Sequence, residues 1–98
     1  MSLPLVFRPT AQAEFDAAAA WYEGQRPGLG DDFVAEVQQV LNAIANQPQR
    51  FPVVDGDVRE APVSRFPYCV YYRVKADRIV VIAVFHTSRD PSIWQGRK

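Results

Sequence analysis

The sequence predicts an α+β domain in which two helices form a hairpin that packs on a largely antiparallel sheet. Two observations predict this class. Apolar residues recur with helical spacing in two segments of the first half of the chain. Segments rich in β-branched and aromatic residues follow in the second half, and a four-residue turn joins two of them. With 98 residues the chain can build one modest core, so a single domain is predicted over residues 1–98.

The first strand and the first helix lie close together in sequence. Leu5-Val6-Phe7 is a predicted short strand, and Pro9 stops it. Thr10 is then the predicted N-cap of a helix that runs to Glu23 and ends at Gly24. Its apolar stripe has helical spacing and consists of Phe15, Ala18, Ala19 and Tyr22.

A second helix follows a tight connection at residues 26–30, which contains one proline and two glycines. Asp31 and Asp32 suit its first turn, where carboxylates meet unpaired amides and the positive end of the helix dipole. Pro48 closes it. The predicted apolar face consists of Phe33, Val37, Val40, Leu41 and Ile44. So short a connection predicts an antiparallel helical hairpin.

Three more strands are predicted in the second half. Residues 58–63 form a short one that contains Pro62 and therefore lies near an edge. Residues 66–74 form the next, and residues 75–78 reverse the chain. The seven consecutive apolar residues 79–85 predict a last strand that is buried on both faces. The predicted order is β-α-α-β-β-β.

Composition and charge exclude several classes of protein. The net charge is zero, but residues 1–50 carry three basic and six acidic residues, and the remainder carries eight basic and five acidic ones. This asymmetry is consistent with an anion-facing surface. The single cysteine, Cys69, excludes an internal disulfide and is predicted to be a buried apolar residue. We expect a cytoplasmic protein with no membrane segment and no signal peptide.

Candidate chemistry is concentrated after the last strand, where the only histidine, His86, precedes Arg89. One histidine and one cysteine do not make a usual zinc site, so no metal or cofactor is expected. A metal-independent nuclease would need an acid and a base, together with cations for the phosphorane charge. His86 could act as the acid or the base, and Glu60 or Tyr72 would have to fill the second proton-transfer role. Arg59 and Arg89 could stabilise the charge. Alternatively, His86 bonds a backbone carbonyl or Asp90 and fixes the turn.

A set of motifs in a particular order covers nearly the whole chain. They are Trp21-Tyr22-Glu23, Gly28-Leu29-Gly30 with Phe33, Pro48 with Phe51-Pro52, Val58-Arg59, Arg65-Phe66-Pro67-Tyr68, Tyr71-Tyr72-Arg73-Val74, and His86-Thr87-Ser88-Arg89-Asp90-Pro91 with Trp94 and Arg97. In these motifs the chain resembles the RelE/ParE superfamily of toxins from bacterial type II toxin-antitoxin (plasmid stabilisation) modules. It looks closer to ParE than to RelE.

The resemblance implies a growth-inhibiting toxin with the RelE/ParE-like fold and a cognate antitoxin. A ParE-like member acts on DNA gyrase or another protein target and is not expected to be an enzyme. The alternative is a RelE-like endoribonuclease that cuts mRNA on the ribosome, for which the candidate catalytic residues are His86, Arg89 and Arg59. The predicted target-binding residues are Arg59, Arg65, Arg73, Arg89 and Trp94.

Two departures from RelE favour the ParE-like alternative. Trp94 stands about where RelE has its catalytic tyrosine, and an indole cannot transfer a proton as a phenol can. Residues 52–57 are neutral to acidic where RelE is rich in lysine. A net charge of zero is also poorly suited to docking on ribosomal RNA.

Overall fold

A helical hairpin packs on one face of a five-stranded mixed sheet, which confirms the predicted α+β class. The structure is a computed structural model that describes residues 3–97; residues 1, 2 and 98 of the predicted domain lie outside that range. In chain order its elements are β1 (Leu5–Phe7), α1 (Pro9–Gln25), α2 (Leu29–Asn46), β2 (Val53–Asp55), β3 (Val58–Pro62), β4 (Tyr68–Val74), β5 (Ile79–His86) and α3 (Ser92–Gln95).

The strands are arranged in the order β1-β5-β4-β3-β2. β1 runs parallel to β5, and the other three neighbouring pairs are antiparallel. β5 therefore lies between the first strand and β4, and every residue of it before His86 is buried. The predicted burial of residues 79–85 on both faces is confirmed.

The main core lies between the hairpin and the sheet. The predicted apolar faces of both helices point into it, with Phe33, Val37 and Ile44 fully buried. Val70, Tyr72, Val81 and Val84 complete it from the sheet. Burial of apolar area of this kind is the dominant favourable contribution to folding.

A second, smaller core lies on the opposite face of the sheet. Short α3 covers this face with Trp94, whose ring stacks on that of Tyr71 with centroids 4.1 Å apart. The Tyr71 hydroxyl donates to Glu60 Oε2 at 2.7 Å. Burial, first of all, and this bond to a carboxylate raise the pKa of Tyr71 well above its usual value.

The helix bounds differ from the prediction by one or two residues. α1 begins at Pro9 with Arg8 as its N-cap, so the assignment of the N-cap to Thr10 is wrong. Proline suits the first helical position because its φ is already helical and its missing N–H is not needed there. α1 continues through Gly24 to Gln25, and α2 begins at Leu29, before the two aspartates.

Two short elements and one strand boundary were not predicted. β2 has only three residues and borders an acidic turn, and it exists because it pairs with β3. β3 is consequently the second strand from the edge. α3 has only four residues, too few to show a periodicity. β4 begins at Tyr68 because the preceding residues form a tight turn in which Tyr68 N–H donates to Phe66 O.

Arg65 occupies a left-handed backbone conformation in that turn, with φ of 72°. Its exposed side chain donates to Glu36 at 3.2 Å. We expect Arg65→Gly to change the free energy of unfolding by less than about 1 kcal/mol, because relief of the backbone strain offsets the lost exposed ion pair. Arg65→Ala keeps the strain and should be about 1 kcal/mol less stable than the glycine variant. Urea unfolding of both proteins measures the difference, and an alanine variant as stable as the glycine variant would contradict the expectation.

Cys69 lies in the second core, where 7% of its surface is exposed, as predicted for a buried apolar residue. Burial, followed by the nearby Glu60 carboxylate, raises the pKa of its thiol to about 11. We expect the native protein to resist alkylation by iodoacetamide at pH 8, and the urea-unfolded protein to react fully. The thiol of the unfolded protein ionises at a lower pH than the buried thiol does. The free energy of unfolding therefore falls as the pH rises from 9.0 toward about 11. Rapid alkylation of the native protein would show that this thiol is accessible.

Candidate binding groove beside the last strand

The edge of β5 is only half covered by β1. β1 pairs its three residues with Ile79, Val80 and Val81, and Arg8 N–H makes the last backbone bond, to Val81 O, at 2.9 Å. β5 then continues to His86 while the chain of β1 turns away into α1. Residues 82–86 therefore form an open edge of the sheet, and we use that name for them below.

A β-bulge sets which backbone groups face the open edge. Val81 pairs with Tyr72 and Ala83 pairs with Tyr71, so Ile82 is an extra residue opposite β4. The extra residue changes which backbone groups point toward β4 and which point away from it. As a result, the Ile82 carbonyl and the Val84 N–H point away from β4, toward the open edge. Two charged side chains bind them: Arg97 Nη1 donates to Ile82 O at 3.2 Å, and Glu14 Oε1 accepts from Val84 N–H at 3.1 Å.

Glu14 and Arg97 also form a two-bond ion pair across this edge. Arg97 Nη1 and Nη2 each donate to one Glu14 oxygen at 2.9 Å, and the two side chains are only 13% and 18% exposed. A bidentate, largely buried pair of this kind is stronger than an exposed one. It joins α1 to the segment that follows α3, although the two residues are far apart in the sequence.

Arg89 is the more exposed cation beside this pair, with 47% of its side chain accessible. Its Nη1 lies 3.6 Å from Glu14 Oε2, and its guanidinium stacks over the Phe85 ring at 4.3 Å from the centroid. Glu14 already accepts two shorter bonds from Arg97. Two guanidinium groups thus share one carboxylate, which leaves a local excess of positive charge at Arg89.

His86 is held by the turn that follows β5. Its Nδ1 accepts from Ser88 N–H at 3.1 Å and lies 2.8 Å from Ser88 Oγ. Because a backbone N–H must donate, this hydrogen-bond network assigns the neutral ring's proton to Nε2. The neutral ring therefore offers a donor at Nε2, and its acceptor is already used. His86 therefore fixes the turn, but its partner is Ser88 and not the predicted backbone carbonyl or Asp90.

Two adjoining cavities of about 270 and 440 Å³ form a groove between α1 and the open edge. Trp21, Tyr68 and His86 line both of them. Trp21 projects from α1 with 60% of its surface exposed, and Arg89 and Glu14 lie at the end of the smaller cavity. The groove thus has an aromatic floor and a cationic end, a combination suited to binding a protein segment.

Of the predicted site residues, only His86 and Arg89 line this groove. Arg59 donates to Phe51 O at 2.6 Å and to the Gln49 side chain at 2.7 Å, so it fixes the segment between α2 and β2. Arg65 pairs with α2, and Arg73 makes a bidentate pair with Asp57. That arginine, through its hydrogen bond above all, lowers the pKa of Asp57.

Trp94 does not line the groove either, because it is 3% exposed in the second core. Its contact with a target, as predicted, would require it to leave that core. The other proton-transfer candidates also lie elsewhere: Glu60 accepts from Tyr71, and the Tyr72 hydroxyl donates to Pro48 O at 2.7 Å in the main core. His86 therefore has no second acid or base from that set beside it.

Sequence reasoning did not single out Trp21 and Glu14 as functional residues. Trp21 lies off the apolar stripe of α1, and a large aromatic residue outside such a stripe is a usable signal of an exposed contact surface. Glu14 carries no such signal, because its partners are 70 or more residues away along the chain.

Among residues 3–97 no helix is long and apolar enough to cross a membrane. The same residues contain no group of three or more histidine, cysteine, aspartate or glutamate side chains placed to hold a metal ion.

Comparison with known proteins identifies the family. No curated protein is similar enough in sequence to count as a match. A solved structure described as the chromosomal ParDE toxin-antitoxin system from P. aeruginosa contains a chain with the same fold. It superimposes with a TM-score of 0.75 at 22% identity, over 89% of this chain and 98% of that one. The model of the family described as the ParE toxin of type II toxin-antitoxin systems, parDE, matches residues 5–91. The chain therefore belongs to the ParE toxin family.

Proposed function

We propose that this chain is a toxin that inhibits DNA gyrase and that a cognate antitoxin neutralises it by binding in the groove beside β5. Membership of the ParE family supports the toxin role and the antitoxin partner. The observation that carries the proposal is the lining of the groove. Exposed Trp21 lines it and can contact a partner, and the carboxylate of Glu14 is already paired with Arg97.

The groove is poorly suited to the RelE-like alternative of RNA cleavage. General acid–base cleavage needs two proton-transfer groups at the scissile phosphate. In the described part of the chain, His86 Nδ1 is used by Ser88, while Glu60 and Tyr72 bind partners outside the groove. Arg89 is a cation for contact with an anionic group of a partner, and it is the residue we expect to matter most for binding.

Controlled expression in bacteria tests the proposal. We expect induction of this chain to stop growth and to induce the DNA-damage response, while cellular mRNA stays intact. Co-expression of the cognate antitoxin should restore growth. Cleavage of mRNA without DNA damage would support the RelE-like alternative, and unimpaired growth would contradict both.

A further inference from the structure

The segment that carries α3, residues 91–97, covers the second core without joining the sheet through its backbone, and we call it the strap. Within the described residues 3–97, the backbone hydrogen bonds of the strap all stay inside residues 90–97. α3 itself has four residues, too few for a helix that is stable alone. Side chains therefore hold the strap on the sheet.

Two side chains make this attachment, one apolar and one charged. The Trp94 ring stacks on that of Tyr71 with centroids 4.1 Å apart, and it is the one residue of the strap in the second core. Arg97 makes the two-bond ion pair with Glu14 at 2.9 Å. Release of these two contacts would free the strap and would break no pairing between strands.

The Trp94 attachment has an unsatisfied polar group. The indole N–H of Trp94 is fully buried and has no hydrogen-bond partner among the residues that the structure describes. A buried donor without an acceptor costs free energy, which opening of the strap recovers because water then binds the N–H. Stacking and apolar burial oppose this cost and keep the closed strap as the ground state. The unpaired donor brings the open state closer to it in free energy.

We propose that the strap opens while the rest of the fold stays intact, that the Glu14–Arg97 pair is its catch, and that Trp94 contacts the target protein in the open state. The first two parts rest on the geometry alone, and the third rests on the proposed function. The open state gives a role to Trp94, a predicted target-binding residue that the closed strap buries. Because Glu14 also lines the groove, the catch lies at the end of the groove.

Hydrogen exchange of the two tryptophan indoles in the ¹⁵N-labelled protein tests the opening. Trp21 is 60% exposed and supplies the unprotected reference within the same spectrum. We expect the Trp94 indole to be protected, but about tenfold or more below the amides of β4 in the middle of the sheet. Glu14→Gln and Arg97→Gln should each lower this protection about 10- to 30-fold. Arg78→Gln, which removes an exposed ion pair in the turn before β5, should leave it unchanged.

A variant of the main core separates opening of the strap from unfolding of the whole protein. Ile44 is fully buried there, and Ile44→Val should lower the protection of the β4 amides about fivefold. It should leave the protection of the Trp94 indole unchanged, because the main core is intact in both the closed and the open state. An equal fall at both sites would show that only global unfolding exposes Trp94, and it would overturn the proposal.

Inhibition of gyrase supercoiling tests the contact of Trp94 with the target. If only the open state binds, the apparent affinity rises with its population, so Glu14→Gln and Arg97→Gln should each inhibit at a concentration about 10- to 30-fold lower than the unmodified protein. These substitutions change the net charge in opposite directions, so a gain shared by both reports on the strap and not on charge.

The outcomes for the strap and for the proposed function are distinguishable. Inhibition by both variants that is no stronger than that by the unmodified protein would overturn the contact of Trp94 with the target. An absence of inhibition by all three proteins would contradict the proposed function and this contact with it. Hydrogen exchange, which needs no gyrase, decides the opening of the strap and the role of its catch in either case.

Discussion

Gly30→Ala is expected to lower the free energy of unfolding by about 3 kcal/mol, the upper end of the range for overpacking. A β-carbon at this position would lie 2.6 Å from the Ala19 carbonyl oxygen and 2.9 Å from Glu23 Cβ. Both belong to α1, so the two helices would have to separate. Glu23 would also lose its geometry as a cap for α2, where its carboxylate accepts from Gly28 N–H and Gly30 N–H, each at 3.0 Å.

Gly24→Ala is the matched control for this effect. Gly24 lies in the last turn of α1, and a β-carbon there would meet no atom within 4 Å. Alanine should therefore leave stability unchanged or raise it by up to about 1 kcal/mol. Urea unfolding followed by circular dichroism measures both variants. Equal stability of the two proteins would show that the close approach of α1 and α2 is not a constraint.

Glu14→Gln is expected to lower the free energy of unfolding by about 2 kcal/mol, because it leaves the largely buried Arg97 guanidinium without a carboxylate. The amide oxygen of glutamine can still accept from Val84 N–H, so the loss comes from the contact with Arg97. Asp16→Asn is the control. Asp16 lies on the same helix and is exposed, and its side chain accepts only from Gln12.

The same urea unfolding measurement applies to this pair, and the control should remain within about 0.5 kcal/mol of the unmodified protein. The Glu14 variant should also loosen the segment after α3, which amide hydrogen exchange detects at Arg97, whose N–H donates to Trp94 O. An unfolding free energy equal to that of the control would contradict the role of Glu14 in stabilising the fold through Arg97.

The fold could be predicted because its main signals are local. The uninterrupted apolar run of residues 79–85 predicted a strand buried on both faces, and the stripes of Phe33, Val37 and Ile44 predicted the packed side of α2. β2 and α3 could not be predicted in this way, because three and four residues are too short for a periodic pattern and tertiary pairing holds them.

The candidate site was predicted only in part. His86 and Arg89 were found because polar residues directly follow a buried strand, and strand ends deliver side chains to the surface. The β-bulge at Ile82 directs the Ile82 carbonyl and the Val84 N–H away from β4, and no residue type in the sequence predicts it. Charge alone groups the arginines at 59, 65 and 73, but each has its own partner in the structure: the Phe51 carbonyl, Glu36 and Asp57, respectively.

Supercoiling of relaxed plasmid by purified DNA gyrase, with this protein added, tests the central claim most directly. We expect the protein to block supercoiling, and the cognate antitoxin to restore supercoiling when it is mixed with the toxin beforehand. In parallel, mRNA in translating ribosomes should remain uncut by the same preparation. Undisturbed supercoiling together with cleaved mRNA would contradict the account and identify the chain as a ribosome-dependent nuclease.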